Sequence, residues 1–276
     1  MTSADRTEPN PARLSCADAT LAYDHRVVAE ALSVRIPDHS FTVLVGPNGC
    51  GKSTLLRALA RLLVPRHGTV HLDGRSIHGL RAKEVARQLG LLPQTAIAPD
   101  GITVQDLVAR GRYPHQGLLR QWSPGDETAV TQAMAATNVT ELAGRYVDEL
   151  SGGQRQRVWL AMALAQQTPI LLLDEPTTFL DIAHQIEVLD LVARLREEQG
   201  HTLVAVLHDL NHACRYATHL IAMRDGTVVA QGTPADIVDA DLVEQVFGLP
   251  CRVITDPESG TPLIIPKARR VLTPTR

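Results

Sequence analysis

Gly46-Pro47-Asn48-Gly49-Cys50-Gly51-Lys52-Ser53-Thr54 stands between an apolar run, Phe41-Thr42-Val43-Leu44-Val45, and a helix-like run from Leu55 to Leu63. Its spacing is G-x-x-x-x-G-K-[ST], and a strand before it with a helix after it makes a phosphate-binding loop the expected reading. A phosphate chain can be met by successive backbone N–H groups only where side chains do not obstruct the approach, which Gly46, Gly49 and Gly51 allow. The start of the following helix adds free donors and positive potential. Lys52 brings a formal charge to the β and γ phosphates, and Ser53 offers a hydroxyl to Mg²⁺. An ordinary glycine turn with a solvated lysine is the bland alternative, and the flanking elements argue against it.

The chain has 276 residues, 44% hydrophobic and 21% charged, which fits one large domain or a domain with an insertion. Net charge is −3 and aromatic residues make up 3%, so the basic stripes and stacking rings of a nucleic-acid groove are missing. Cys16, Cys50, Cys214 and Cys251 have no metal-ligand spacing and read as free thiols. No apolar stretch approaches the roughly 20 residues of a membrane span.

Alternation from Leu14 to Ile36 implies a small antiparallel sheet leading into the loop strand. Gly68 to Gly74 reads as a strand closed by an Asp-Gly turn, Arg81 to Leu89 as a helix, and Gly90 to Gln94 as a short buried strand. Helical patterning at Val104 to Arg110 and Glu127 to Thr137 marks an insertion. A helix from Gln154, an apolar strand Ile170 to Leu173, a helix Asp181 to Gln199 and a strand Leu203 to Leu207 then resume a β/α rhythm. Continuous apolar strands alternating with helices imply a parallel sheet covered on both faces. The expected organisation is a flexible tail (1–13), a core (14–94 and 150–248), a helical subdomain (95–149), and a C-terminal hairpin with tail (249–276).

The strand at Ile170 ends in Asp174-Glu175-Pro176, two carboxylates at the C-terminal edge of a sheet, where α/β ligand sites lie. Asp174 is placed to hold Mg²⁺, and Glu175 to polarise or deprotonate an attacking water.

Leu150-Ser151-Gly152-Gly153-Gln154, before that acidic pair, resembles the signature motif of ATP-binding cassette (ABC) proteins, and the resemblance runs from Leu14 to about Pro266. It implies a P-loop NTPase core with an N-terminal antiparallel β subdomain and an α-helical insertion. It further implies a homodimer, with Ser151, Gly152 and Gly153 of one subunit, at the start of the helix that includes Gln154, capping the γ-phosphate of ATP held by Lys52 of the other. A serine and two small residues at a helix start do make an anion-binding surface. By the same resemblance Tyr23 stacks on adenine, Gln94 contacts Mg²⁺ and the attacking water, Asp181 crosses the dimer interface and His208 lies near the γ-phosphate. Phe179 departs from the small residue that many members have before Leu-Asp.

Arg110 to Gln116, Thr177 to Gln185 and Phe247 to Pro266 are similar to the ATPases of iron–siderophore importers. That branch implies ATP hydrolysis at the cytoplasmic face of the membrane beneath two permease subunits, which the insertion carrying Arg112 to Gln116 is expected to meet. An extracytoplasmic binding protein would be an indirect partner and nucleic acid none. Cobalamin and haem importers share the architecture, and a soluble non-transport cassette is the rival class.

Overall fold

The apolar runs divide their side chains between two cores. In the computed structural model, which describes residues 12–94, 97–117, 122–178 and 180–268, Ile170 and Leu172 enter one hydrophobic cluster while Leu171 and Leu173 enter another. Val43 and Leu44, Leu203 and Val204, and Leu220 and Ile221 are split in the same way. A period of two does this to any strand covered on both faces.

Along the chain, β1 (Leu14–Tyr23) and β2 (Arg26–Ile36) pair antiparallel, and β3 (Phe41–Val45) leads through the glycine loop into α1 (Lys52–Leu59). Next come β4 (His67–Leu72), β5 (Arg75–Ser76), α2 (Ala82–Ala86) and β6 (Leu89–Leu92). Two helices, α3 (Val104–Ala109) and α4 (Pro124–Ala136), precede α5 (Gly152–Ala165), which returns the chain to the sheet at β7 (Ile170–Asp174). Then follow α6 (Ile182–Gln199), β8 (Thr202–Val206), α7 (Leu210–Tyr216), β9 (His219–Arg224) and β10 (Thr227–Gly232). Short helices α8 (Pro234–Ile237) and α9 (Ala240–Phe247) lead to a hairpin of β11 (Cys251–Thr255) and β12 (Pro262–Pro266).

The large sheet has the order β10-β9-β3-β8-β7-β6. Every pair in it is parallel except β10 with β9. A separate antiparallel sheet has the order β2-β1-β4-β5. The mixed α/β class therefore stands, with β9 and β10 as strands that sequence reasoning did not assign.

Some boundaries move for identifiable reasons. The helix expected to reach Leu63 stops at Leu59, because Arg61 takes a left-handed φ of 64° and donates to Ile77 O and Leu80 O. The helix expected to reach Leu89 stops at Ala86, since Leu89 is captured by the sheet opposite Ile170. Arg13, read as tail, is held by Asp73 at 2.7 Å and by Gln88 at 3.0 Å. Residues 1–11 of that tail, and Phe179, lie outside the described residues.

Arg112, within the stretch expected to meet a permease, points inward. It is 6% exposed, pairs with Asp126 at 2.8 Å, and donates to Ala165 O at 2.7 Å and Gln167 Oε1 at 3.0 Å. Asp126 also accepts from Ser123 Oγ and N, closing a capping box at the start of α4. Gly111 lets this segment touch α5, where a Cβ would lie 2.2 Å from Met162 O. Tyr113 and Arg110 are the exposed members of the run. The Ser123 hydroxyl first, and Arg112 after it, hold the Asp126 carboxyl below the usual carboxylate range although burial opposes them. A depressed carboxylate stabilises the fold above the unfolded value near ~3.9, and the benefit is lost as pH falls through the lower folded value. Arg112→Ala leaves Asp126 buried without its cation and should cost about 3–5 kcal/mol in denaturant unfolding at pH 7. A loss within about 0.5 kcal/mol, the range of surface substitutions, would contradict the bracket.

Candidate functional site

β3 runs into Gly46, whose φ is 150° and whose Cβ, if present, would lie 2.1 Å from Met223 O. The chain turns through Gly49 (φ 77°) and Gly51 (φ 104°) before α1 begins at Lys52. Lys52 is 5% exposed, and its Nζ donates to Gly46 O at 2.8 Å and Pro47 O at 3.0 Å. Cys50 is buried in the loop, with its Sγ 3.9 Å from that ammonium.

One residue further along α1, Ser53 Oγ donates to Asp174 Oδ1 at 2.8 Å. Asp174 ends β7 and is 2% exposed. Burial pushes its carboxyl above the ordinary value, partly offset by the Ser53 hydroxyl. Glu175, next in the chain, sits in the left-handed region at φ 55°, a strained backbone for a non-glycine residue. His208 Nε2 lies 2.7 Å from Glu175 Oε1, and Thr178 Oγ1 donates to Oε2 at 3.1 Å. Burial works to raise the Glu175 pKa, but hydrogen bonds from His208, Gln94 and Thr178 outweigh it and hold the carboxyl below its usual range. Glu175 is thus kept ionised and aimed.

A cavity of about 840 Å³ gathers Asn48, Gly49, Gly51, Lys52, Ser53, Thr54, Gln94, Glu175, His208 and Tyr23 around one opening. Tyr23 is half-exposed at its rim, its hydroxyl accepting from Arg57 Nη1 at 3.2 Å. Arg26, Val27, Val28, Asp225 and Gly226 line the same cavity and were missed in the sequence. Only Asp225-Gly226 carried a readable signal there, an Asp-Gly turn between two β-type runs.

The signature residues are elsewhere. Ser151 caps α5: its Oγ accepts from Gln154 N at 3.3 Å while Gln154 Oε1 accepts from Ser151 N at 3.1 Å. Ser151, Gly153 and Gln154 share a separate hollow with Leu180, Asp181 and His184, and Gly152 begins the helix beside them. Asp181 caps α6 and accepts from His184 N at 3.0 Å and His184 Nδ1 at 2.8 Å. Among the described residues none lines both hollows. The two regions are linked by Gln156 Nε2 on α5, which donates to Pro176 O beside Glu175 at 3.0 Å.

A phosphate loop on the central strand, an acidic pair ending a nearby parallel strand, and a capped glycine helix held apart from both are the parts of a nucleotide-binding cassette. Residues 29–178 match the ABC transporter family, and the chain belongs to it. It is 60% identical over 258 residues to the ferric enterobactin transport ATP-binding protein FepC of Escherichia coli (strain K12), covering 94% of this chain and 95% of that one. It is 54% identical over 254 residues to the petrobactin import ATP-binding protein FpuD of Bacillus anthracis, covering 91% and 93%. A dimeric ATP-binding cassette bound to ADP and Pi after hydrolysis superimposes with a TM-score of 0.71 at 28% identity, over 80% of this chain and 98% of that one.

Thr178→Val removes one donor to Glu175 Oε2, so the Glu175 pKa should rise. The acid limb of the pH–rate profile for ATP hydrolysis should move to higher pH, and a limb that stays in place or moves lower would remove Thr178 from this role.

Proposed function

We propose that this chain is the ATP-hydrolysing subunit of an importer of ferric siderophores, a peripheral protein on the cytoplasmic face of the membrane. The observation that carries the reading is identity of 60% across nearly the whole length to a ferric enterobactin transport ATP-binding protein. Among the described residues no helix is long and apolar enough to cross a membrane, which accords with separate permease subunits.

In this reading Tyr23 stacks on the adenine of ATP. Backbone N–H groups of the glycine loop, together with Lys52, receive the phosphates. Ser53 and Asp174 present a hydroxyl and a carboxylate as hard oxygen donors, the ligand type Mg²⁺ takes alongside phosphate and water. The ion would neutralise charge on the β and γ phosphates. Glu175, ionised and held by His208, orients a water and accepts its proton as the bond to the γ-phosphorus forms and ADP leaves. Gln94 lies against Glu175 at the junction with the helical insertion.

Separation of the Ser151 hollow from the Lys52 cavity within one chain supports a head-to-tail homodimer. There Ser151, Gly152 and Gly153 of each copy cap the γ-phosphate of the other, and Asp181 borders the shared surface. Bound ATP favours the closed pair because it bridges both subunits only in that state. Hydrolysis removes the bridge, and the insertion passes the opening to two permeases. An extracytoplasmic siderophore-binding protein would be the indirect partner that supplies cargo.

Glu175→Gln should keep ATP binding, slow turnover by about 10²-fold or more and accumulate an ATP-bound dimer in size-exclusion chromatography. Turnover at the wild-type rate would overturn the role given to Glu175. Cells lacking this chain and other iron importers should lose ferric siderophore uptake, and the Lys52→Ala form should not restore it. Normal siderophore uptake with defective cobalamin or haem uptake would refute the cargo while leaving the ATPase intact.

A further inference from the structure

The turn between β9 and β10 consists of Asp225 (φ 48°) and Gly226 (φ 79°), both left-handed, as an Asp-Gly hairpin turn requires. It is pressed between β2 and the phosphate loop. A Cβ on Gly226 would lie 2.2 Å from Val28 O and 3.0 Å from Ala29 Cα. On its other side, Gly226 N donates to Cys50 O at 3.1 Å, inside the loop. The loop leans on the same hairpin at both ends. Met223 O occupies the place of a Gly46 Cβ, and a Gly51 Cβ would find Met223 Cε at 3.8 Å and Gly226 Cα at 3.9 Å. Asp225 and Gly226 also line the nucleotide cavity. The matched family region ends at residue 178, well before this hairpin.

We infer that the Asp225-Gly226 turn is a positioning element of the nucleotide site, setting the curvature of the phosphate loop from outside it, with Gly226 as the residue on which the fit depends. The inference rests on reading that loop as the ATP site. Curvature matters because the N–H groups of the loop bind phosphate only while they converge on it. A displaced turn pulls on Cys50 O and rotates the peptides on either side. Binding should weaken more than chemistry, since Glu175, His208 and Gln94 belong to other segments.

The test separates collision from backbone strain. Gly226→Ala adds both. Gly226→Asn keeps the Cβ but tolerates the left-handed conformation better. Gly74→Ala places the same strain (φ 72°) in another Asp-Gly turn, where a Cβ meets nothing within 4 Å. Titration with a fluorescent ATP analogue should give a Kd raised about tenfold or more for both Gly226 variants, with kcat at saturating ATP largely kept. Gly74→Ala should stay within about twofold of wild type, about 0.4 kcal/mol. Thr227→Val serves if the Gly226 variants do not fold. It removes the bond from Thr227 Oγ1 to Arg224 O at 2.9 Å without adding bulk at the loop, and should raise Kd in the same direction by less.

Wild-type affinity in the folded Gly226 variants, recovery by Asn alone, or, where neither folds, an unchanged Thr227→Val would overturn the inference. If this happens while Lys52→Ala abolishes binding, the reading of the ATP site stands. Normal binding by Lys52→Ala would remove that reading itself.

Discussion

A buried ammonium without a counter-ion organises the site. Lys52 is held by two carbonyl oxygens of its own loop, and among the described residues no carboxylate pairs with it. Burying a charge is tolerable only when its polar needs are met. Here dipoles meet them, so the full charge remains available to an anion. An acid in their place would have to be displaced before phosphate could bind. The glycines and the strand beneath them serve this constraint, since the carbonyls of Gly46 and Pro47 can face Nζ only while the loop is curled.

The acidic half of the site follows a complementary rule. Asp174 and Glu175 are adjacent, yet their surroundings push their carboxyl groups in opposite directions, Asp174 above and Glu175 below the ordinary range. Asp174 is buried on β7 and accepts from the Ser53 hydroxyl, while Glu175 faces three side-chain donors. The left-handed backbone at Glu175 turns the second carboxylate out of the strand and toward His208. Neighbours in sequence therefore occupy different electrostatic surroundings, one buried beneath the strand end and the other ringed by donors that hold it ionised.

How much of this could be read beforehand depended on whether the signal was local. The glycine loop, the strand end at Asp174-Glu175 and the Ser151 cap each depend on residues within a few positions, so their local geometry was legible. The wall formed by Arg26, Val27, Val28, Asp225 and Gly226 was not. It exists because β9 lies beside β3 and the β9–β10 turn reaches β2, a long-range arrangement without local periodicity. The bracket at Arg112 was not legible for another reason: the carboxylate of Asp126 and the two acceptors near the end of α5 that draw it inward lie 14 to 55 residues away in sequence. Leu89 was lost from its expected helix to strand pairing, which competes with helix propensity and wins when the partner strand is already buried.

The position of β3 also governs how the molecule can be born. Its neighbours in the sheet are β8 and β9, which begin at Thr202 and His219. While the chain leaves the ribosome, the phosphate-loop strand therefore waits for both flanks until most of the polypeptide has been made, on the order of ten seconds at ordinary elongation rates. The antiparallel sheet of β1, β2 and β4 can close much earlier, because its partners are near in sequence. A truncated translation product would thus carry the motif without the scaffold that curls it, which makes nucleotide capture a property of the finished chain.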